Sequence, residues 1–316
     1  MASISTCETS QTDLEELVAR QLDQARVGCV LAGFPKCGTT SLAHWINGCP
    51  EISVSNPKET FLLCRENRRQ GDIAAEGELA NCFSDLDAPF RVEASTLNVY
   101  SQHLLNALAT RDKIKVILIY RDPVAAAISW HNQVVQAQQA FDADLKLSWQ
   151  HAVEAHKNGN TIPLMQNYVS VCQHGRWIQA WLDRLGHDRI LVVSMDDLSD
   201  ATSELFKRVN QFFDEQTSLT GLPPALNQYA SIRFQALIRA FKKSALNHSL
   251  RMLERAFPVT RHVRNFSKEK IFRRRINKPL KTGLESALSA FFQNDHQLAK
   301  QLHQQNIKHW EQGSQR

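Results

Sequence analysis

A lysine, a thiol and three hydroxyls crowd a short glycine-bounded run, Gly33-Phe34-Pro35-Lys36-Cys37-Gly38-Thr39-Thr40-Ser41. Residues of these types suit the holding of an anion. Lys36 brings a mobile positive charge, Thr39, Thr40 and Ser41 bring hydroxyls, and Gly33 and Gly38 let the backbone bend and approach closely. Backbone N–H groups in such a turn and at the start of a following helix point at an anion, and the helix dipole favours negative charge there. Cys37 reads as a small loop-lining residue, in positive surroundings that favour a lowered thiol pKa. The two glycines have the spacing of the nucleotide pattern G-x-x-x-x-G-K-[ST], yet Thr39 follows the second glycine and the lysine sits earlier, at Lys36, inside the turn.

Placing that turn requires a strand before it and a helix after it. Val27 to Ala32 is an apolar run of strand-like composition, and Leu42, Ala43, Trp45 and Ile46 continue as a helix that stops at Asn47-Gly48-Cys49-Pro50. Val116 to Tyr120 is a continuous apolar run, as a parallel strand buried on both faces should be, and Pro123 suits the first turn of a helix after Arg121-Asp122. A further short strand is expected at Ile52–Val54, and helices at Leu14–Ala25, Leu104–Ala109 and Leu284–Trp310. These alternations predict an α/β fold with a central parallel β-sheet flanked by helices. We expect residues 1–25 to form a polar N-terminal segment with a helix, and 26–316 a single domain.

Several stretches together carry a family resemblance. Pro-Lys-Cys-Gly-Thr-Thr-Ser-Leu, residues 35–42, resembles the 5′-phosphosulfate-binding loop of sulfotransferases that use 3′-phosphoadenosine 5′-phosphosulfate (PAPS). Lys58-Glu59 with Phe61 resembles the family's K-E-x-x-F segment, which implies Glu59 as the base that deprotonates the acceptor. Phe90 to Tyr100 resembles a strand ending in E-x-S-P-x-Y, with Thr96 in place of the proline. Arg121-Asp122-Pro123 with Ser129 eight residues after Arg121 resembles the 3′-phosphate site, which implies a guanidinium fork and a hydroxyl on that phosphate. His131 is a second candidate base. A late basic stretch, Asn265 to Leu280, resembles a loop that folds over the nucleotide, which makes Arg273 and Arg274 candidate contacts.

The resemblance implies a P-loop-containing, sulfotransferase-like fold and transfer of a sulfuryl group from PAPS to a hydroxyl or amine. Lys36, Cys37, Gly38, Thr39, Thr40, Ser41, Arg121 and Ser129 would hold the donor. PAP (adenosine 3′,5′-bisphosphate) would be the product, no metal would be needed, and a small molecule or saccharide would be the acceptor. A P-loop kinase or ATPase and a non-catalytic nucleotide-binding relative stay open as alternatives.

The chain of 316 residues, 43% hydrophobic and 22% charged, is ordinary for a globular protein. Its net charge of +5 fits an anionic ligand, and we expect no nucleic-acid partner. Seven cysteines at irregular spacings form no metal or disulfide pattern and read as reduced thiols. The polar, acidic start lacks the pattern of a signal peptide, and no run is apolar enough to span a membrane, so a cytoplasmic enzyme is expected.

Overall fold

The apolar runs that read as strands do form strands, and all of them pair the same way. In the computed structural model, which describes residues 11–67, 77–200, 204–223, 230–232, 273–275 and 283–313, β1 spans Val27–Leu31, β2 Ile52–Val54, β3 Phe90–Glu93, β4 Lys115–Tyr120 and β5 Ile190–Ser194. They form one parallel sheet in the order β2-β3-β1-β4-β5. Successive side chains of a strand point to opposite faces. Val116, Leu118 and Tyr120 accordingly enter one core, and Ile117 and Ile119 the other. Burial on both faces is why Val116–Tyr120 of β4 and Ile190–Val193 of β5 read as unbroken apolar runs.

Helices cover both faces. They are α1 (Gln11–Gln24), α2 (Thr39–Ile46), α3 (Gln102–Ala109), α4 (Pro123–Gln136), α5 (Leu145–Lys157), α6 (Tyr168–Cys172), α7 (His174–Leu185), α8 (Leu205–Phe212) and α9 (Glu285–Gly313). The first core takes Leu22 of α1, Leu108 of α3, Trp181 of α7 and Phe292 of α9 against the sheet. The second takes Leu42 and Ile46 of α2 and Val209 and Phe212 of α8. The architecture is therefore the expected α/β sheet with flanking helices. α1 contributes Val18 and Leu22 to the same core.

Two compact units are present, one within 1–225 and 281–316 and one within 226–280. In the second, the described residues are β6 (Ala230–Ile232) and β7 (Arg273–Arg275), paired antiparallel. Arg273 and Arg274 thus have a described backbone, while their side chains, and residues 233–272, lie outside what is described.

β5 is an edge strand, and α9 closes that edge with side chains instead of another strand. The Asn306 carboxamide accepts from the Val192 N–H at 2.8 Å and donates to the Ile190 carbonyl at 2.8 Å. The Trp310 indole N–H donates to the same carbonyl at 3.0 Å. An amide presents one acceptor and one donor side by side, as a neighbouring strand would, which satisfies groups that an exposed edge leaves open to other chains. Asn306 is fully buried. Replacing Asn306 by Ala strands the Val192 N–H, and we expect a loss of about 1–3 kcal/mol in unfolding free energy, read from urea denaturation midpoints.

Candidate active site

Because every strand of the sheet runs the same way, the segments that follow β1, β2, β3 and β4 all emerge at one edge. Lys36, Glu59, Ser95 and Arg121 lie in those segments, and a crevice at the carboxyl edge is where ligands bind in open α/β sheets.

The turn after β1 is held by Phe34, whose N–H donates to the Ile119 carbonyl at 3.1 Å and whose carbonyl accepts from the Cys37 N–H. Lys36 has φ of 67° and Gly38 φ of 95°. A non-glycine residue in the left-handed region is strained, and such strain gathers at functional turns. Gly38 carries no such strain, whereas a side chain there would, since a φ of 95° is one that L residues rarely adopt. Gly38 is also the N-cap of α2, with no side-chain cap and no acidic residue in the first turn. Thr39, Thr40 and Ser41 occupy that first turn, where amides have no intrahelical partner. Thr39 and Ser41 are buried, and Thr40 is half-buried. A helix start without an acidic partner of its own suits an external anion.

The Cys37 thiol is fully buried and hydrogen-bonds the Pro35 carbonyl. Burial pushes its pKa up to about 12, against the lowering influence of Arg121 and Lys36. The positive surroundings suggested a lowered value. Desolvation outweighs them, and Cys37 is a packing residue of the loop.

Arg121 meets that loop directly. Its Nη1 donates to the Lys36 carbonyl at 3.0 Å, and its own carbonyl lies 3.1 Å from Nδ1 of His174. The guanidinium is half-buried. One of its five donors is used on Lys36, which fixes the fork while leaving others for a ligand. Ser129, half-buried, lies on α4, the helix that begins at Pro123 after Arg121.

The segment carrying Glu59 is strapped to the segment after β3. Glu59 pairs with Lys58 at 2.6 Å, and its other oxygen accepts from the Thr96 N–H at 2.8 Å and the Thr96 hydroxyl at 3.1 Å. Lys58 Nζ also donates to the Ala94 carbonyl at 2.7 Å. The Ser95 hydroxyl accepts from the N–H groups of Thr60 and Phe61, at 2.9 and 3.0 Å. Behind this strap lies Glu93, fully buried. It accepts from the Thr60 hydroxyl at 2.6 Å, the Ser95 N–H at 3.2 Å, the Ser95 hydroxyl and the Asn98 amide. Burial raises the Glu93 pKa, and these four donors pull it back. Sequence reasoning left Glu93 and Ser95 without a role. The available signal was the resemblance of Phe90 to Tyr100 to a strand ending in E-x-S-P-x-Y, which is partial because Thr96 replaces the proline.

His131 is brought elsewhere. It is buried on α4, with Nδ1 2.8 Å from the Tyr168 hydroxyl and Nε2 3.0 Å from the Ala143 carbonyl. The carbonyl can only accept, so Nε2 carries the proton and Nδ1 accepts from Tyr168. Burial lowers the His131 pKa. Nδ1 ties α4 to α6, and Nε2 ties it to the segment before α5. Of Arg273 and Arg274 only the backbone pairing in β7 is described. Among the described residues no three His, Cys, Asp or Glu side chains form a metal-binding group.

Comparison with known proteins shows the family and the fold. The sulfotransferase-domain family model matches residues 28–308, so the chain belongs to that family and sulfuryl transfer is its general chemistry. A crystal structure of a sulfotransferase from Alicyclobacillus acidocaldarius has the same fold, with a TM-score of 0.53 and 17% identity over 65% of this chain and 86% of that one. No curated protein matches.

Two expectations follow from burial. Cys37 should resist iodoacetamide at pH 8 in the folded protein and react only on unfolding, as peptide mass analysis would read. His174 is fully buried and held at a pKa of about 3, first by desolvation and then by His296 and Arg121. A folded pKa below the unfolded value of about 6.5 means stability that is present above that pH and lost as pH falls toward the folded value. The loss approaches about 1.4 kcal/mol per pH unit below pH 6, so between pH 6.5 and 5 wild type should lose about 1.6 kcal/mol more than His174→Asn in urea titrations.

Proposed function

We propose that this chain transfers the sulfuryl group of PAPS to a hydroxyl or amine of a small-molecule or saccharide acceptor, without a metal. The observation that carries the reading is the 3.0 Å bond from Arg121 to the Lys36 carbonyl. It joins the residue suited to a 3′-phosphate to the loop suited to a 5′-phosphosulfate, so that both anionic ends of one nucleotide would meet donors held in a fixed relation. The helix start after Gly38, without an acidic residue, supports the same reading.

Lys36 and the amides of Cys37 to Ser41 would hold the phosphosulfate, and Arg121 with Ser129 the 3′-phosphate. The acceptor's oxygen or nitrogen attacks sulfur in line. The new bond to sulfur forms as the bond from sulfur to the 5′-phosphate oxygen breaks, and that oxygen leaves with the electron pair on PAP. Lys36 meets the charge that develops there. Donors preorganised for such charge are typically the largest single contribution to rate. Glu59 takes the acceptor's proton. It stands on a loop strapped in place and is a third exposed, whereas both nitrogens of His131 are occupied, so the base role goes to Glu59. Arg273 and Arg274 remain candidate nucleotide contacts on the sequence alone.

The described cysteines are all free, which supports a reducing, cytoplasmic setting. Among the described residues no helix is long and apolar enough to cross a membrane.

Titration calorimetry tests the donor assignment. PAP should bind without Mg²⁺, Arg121→Ala should weaken it by about tenfold to a hundredfold, and Glu59→Gln should leave it within about twofold. With PAPS as donor, Lys36→Ala should slow turnover by about a hundredfold or more. Preference for ATP with Mg²⁺ over PAP would replace this reading with a kinase.

A further inference from the structure

We propose that His174 is a positioning residue that sets discrimination for a 3′-phosphate by holding the backbone of Arg121, and that Asp295 of α9 fixes His174 in turn. The inference rests on the donor reading above and adds to it a determinant from the far end of the chain.

The Arg121 carbonyl can only accept, so the 3.1 Å contact requires the proton on Nδ1 of His174. Nε2 is then a bare acceptor, and it is buried with no hydrogen-bond partner. A residue present only to fill space would not leave such a group stranded, because an unpaired buried acceptor is unfavourable. The same imidazole packs on Phe34, with ring centroids 4.3 Å apart. Phe34 belongs to the anion loop, and its carbonyl holds the Cys37 N–H. One ring therefore touches the loop on one side and the Arg121 backbone on another, while the Arg121 side chain closes the triangle on Lys36. Because the ring is neutral, it places no second cation beside the guanidinium.

His174 is the first residue of α7. The next two amides, of Gly175 and Arg176, donate to the two Asp295 oxygens at 2.9 and 2.8 Å. A carboxylate on the first amides of a helix is held by both hydrogen bonds and the helix dipole. The helices are in close contact there, since a Cβ on Gly175 would lie 2.2 Å from the Asp295 carbonyl oxygen. α7 cannot slide on α9 at that point. The relay runs Asp295, start of α7, His174, Arg121, Lys36, and each link is a hydrogen bond or a covalent neighbour.

The test compares PAP with adenosine 5′-phosphate, which lacks only the 3′-phosphate, by calorimetry on the full chain, with thermal melting alongside. In wild type PAP should bind more tightly. His174→Phe keeps a ring against Phe34 and removes the donor, and the ratio of the two affinities should fall by about tenfold with the adenosine 5′-phosphate affinity within about twofold. The Asn and Gln variants give an independent reading if the Phe variant does not fold. Asn places its amide nitrogen where Nδ1 stood and should keep the ratio, whereas Gln reaches to the Nε2 position and should lose it. Asp295→Asn should give an intermediate ratio. An unchanged ratio in His174→Phe, equal ratios for Asn and Gln, or a parallel loss of both nucleotides together with melting temperature overturns the inference and leaves the donor reading standing. No preference for PAP in wild type overturns both.

Discussion

Parallel pairing is the constraint on which the rest of this structure depends. In an antiparallel sheet, the segments after successive strands alternate between edges. Here β1, β2, β3 and β4 all end on the same side, so the segments carrying Lys36, Glu59, Ser95 and Arg121 share one edge without any contact being arranged for the purpose. β1 lies between β3 and β4, which places the anion loop next to both the Glu59 strap and Arg121. The helices needed for parallel crossovers bury both faces of the sheet. That burial supplies the main driving force and explains two apolar cores on opposite sides.

The loops at that edge have no ladder of their own, so polar side chains hold them. Ordering four residues such as 58–61 costs on the order of 4–8 kcal/mol of backbone entropy. Neutral hydrogen bonds contribute about 1 kcal/mol each and those to charged groups about 1.5–3 kcal/mol. Two carboxylates, Glu59 and Glu93, with Ser95 between them, therefore contribute on the scale required to hold one conformation. Elsewhere the same device recurs. Asn306 stands in for a missing strand beside β5, and Asp295 caps α7. α9 is thus more than a closing helix. It finishes the sheet edge and anchors the helix that reaches Arg121.

The strands were legible because burial on both faces leaves an unbroken apolar run, and Val116 to Tyr120 is the clearest case. The glycine-bounded loop was legible because its shape is set by the backbone, and Gly38 sits at a positive φ that L side chains rarely adopt. Arg121 was legible through its place between a strand and Pro123. Other features were not. Nothing in the local sequence tells that His131 faces Tyr168, because a helix residue's neighbours depend on how the helix is docked. Cys37 sits among positive residues in sequence, yet its thiol pKa is decided by desolvation, which is a property of the folded packing.

By itself, then, the sequence determined which segments become strands and helices, the architecture they form, and the residue types available for an anion, since each of these is written in composition and spacing over a few neighbours. Tertiary structure alone decided which side chains meet. The Glu93 strap, the Asn306 edge and the contacts of His174 with Phe34 and Arg121 join residues from 33 to 140 positions apart. Hydrogen bonds form over about 3 Å, and only the packed chain sets distances on that scale between distant segments.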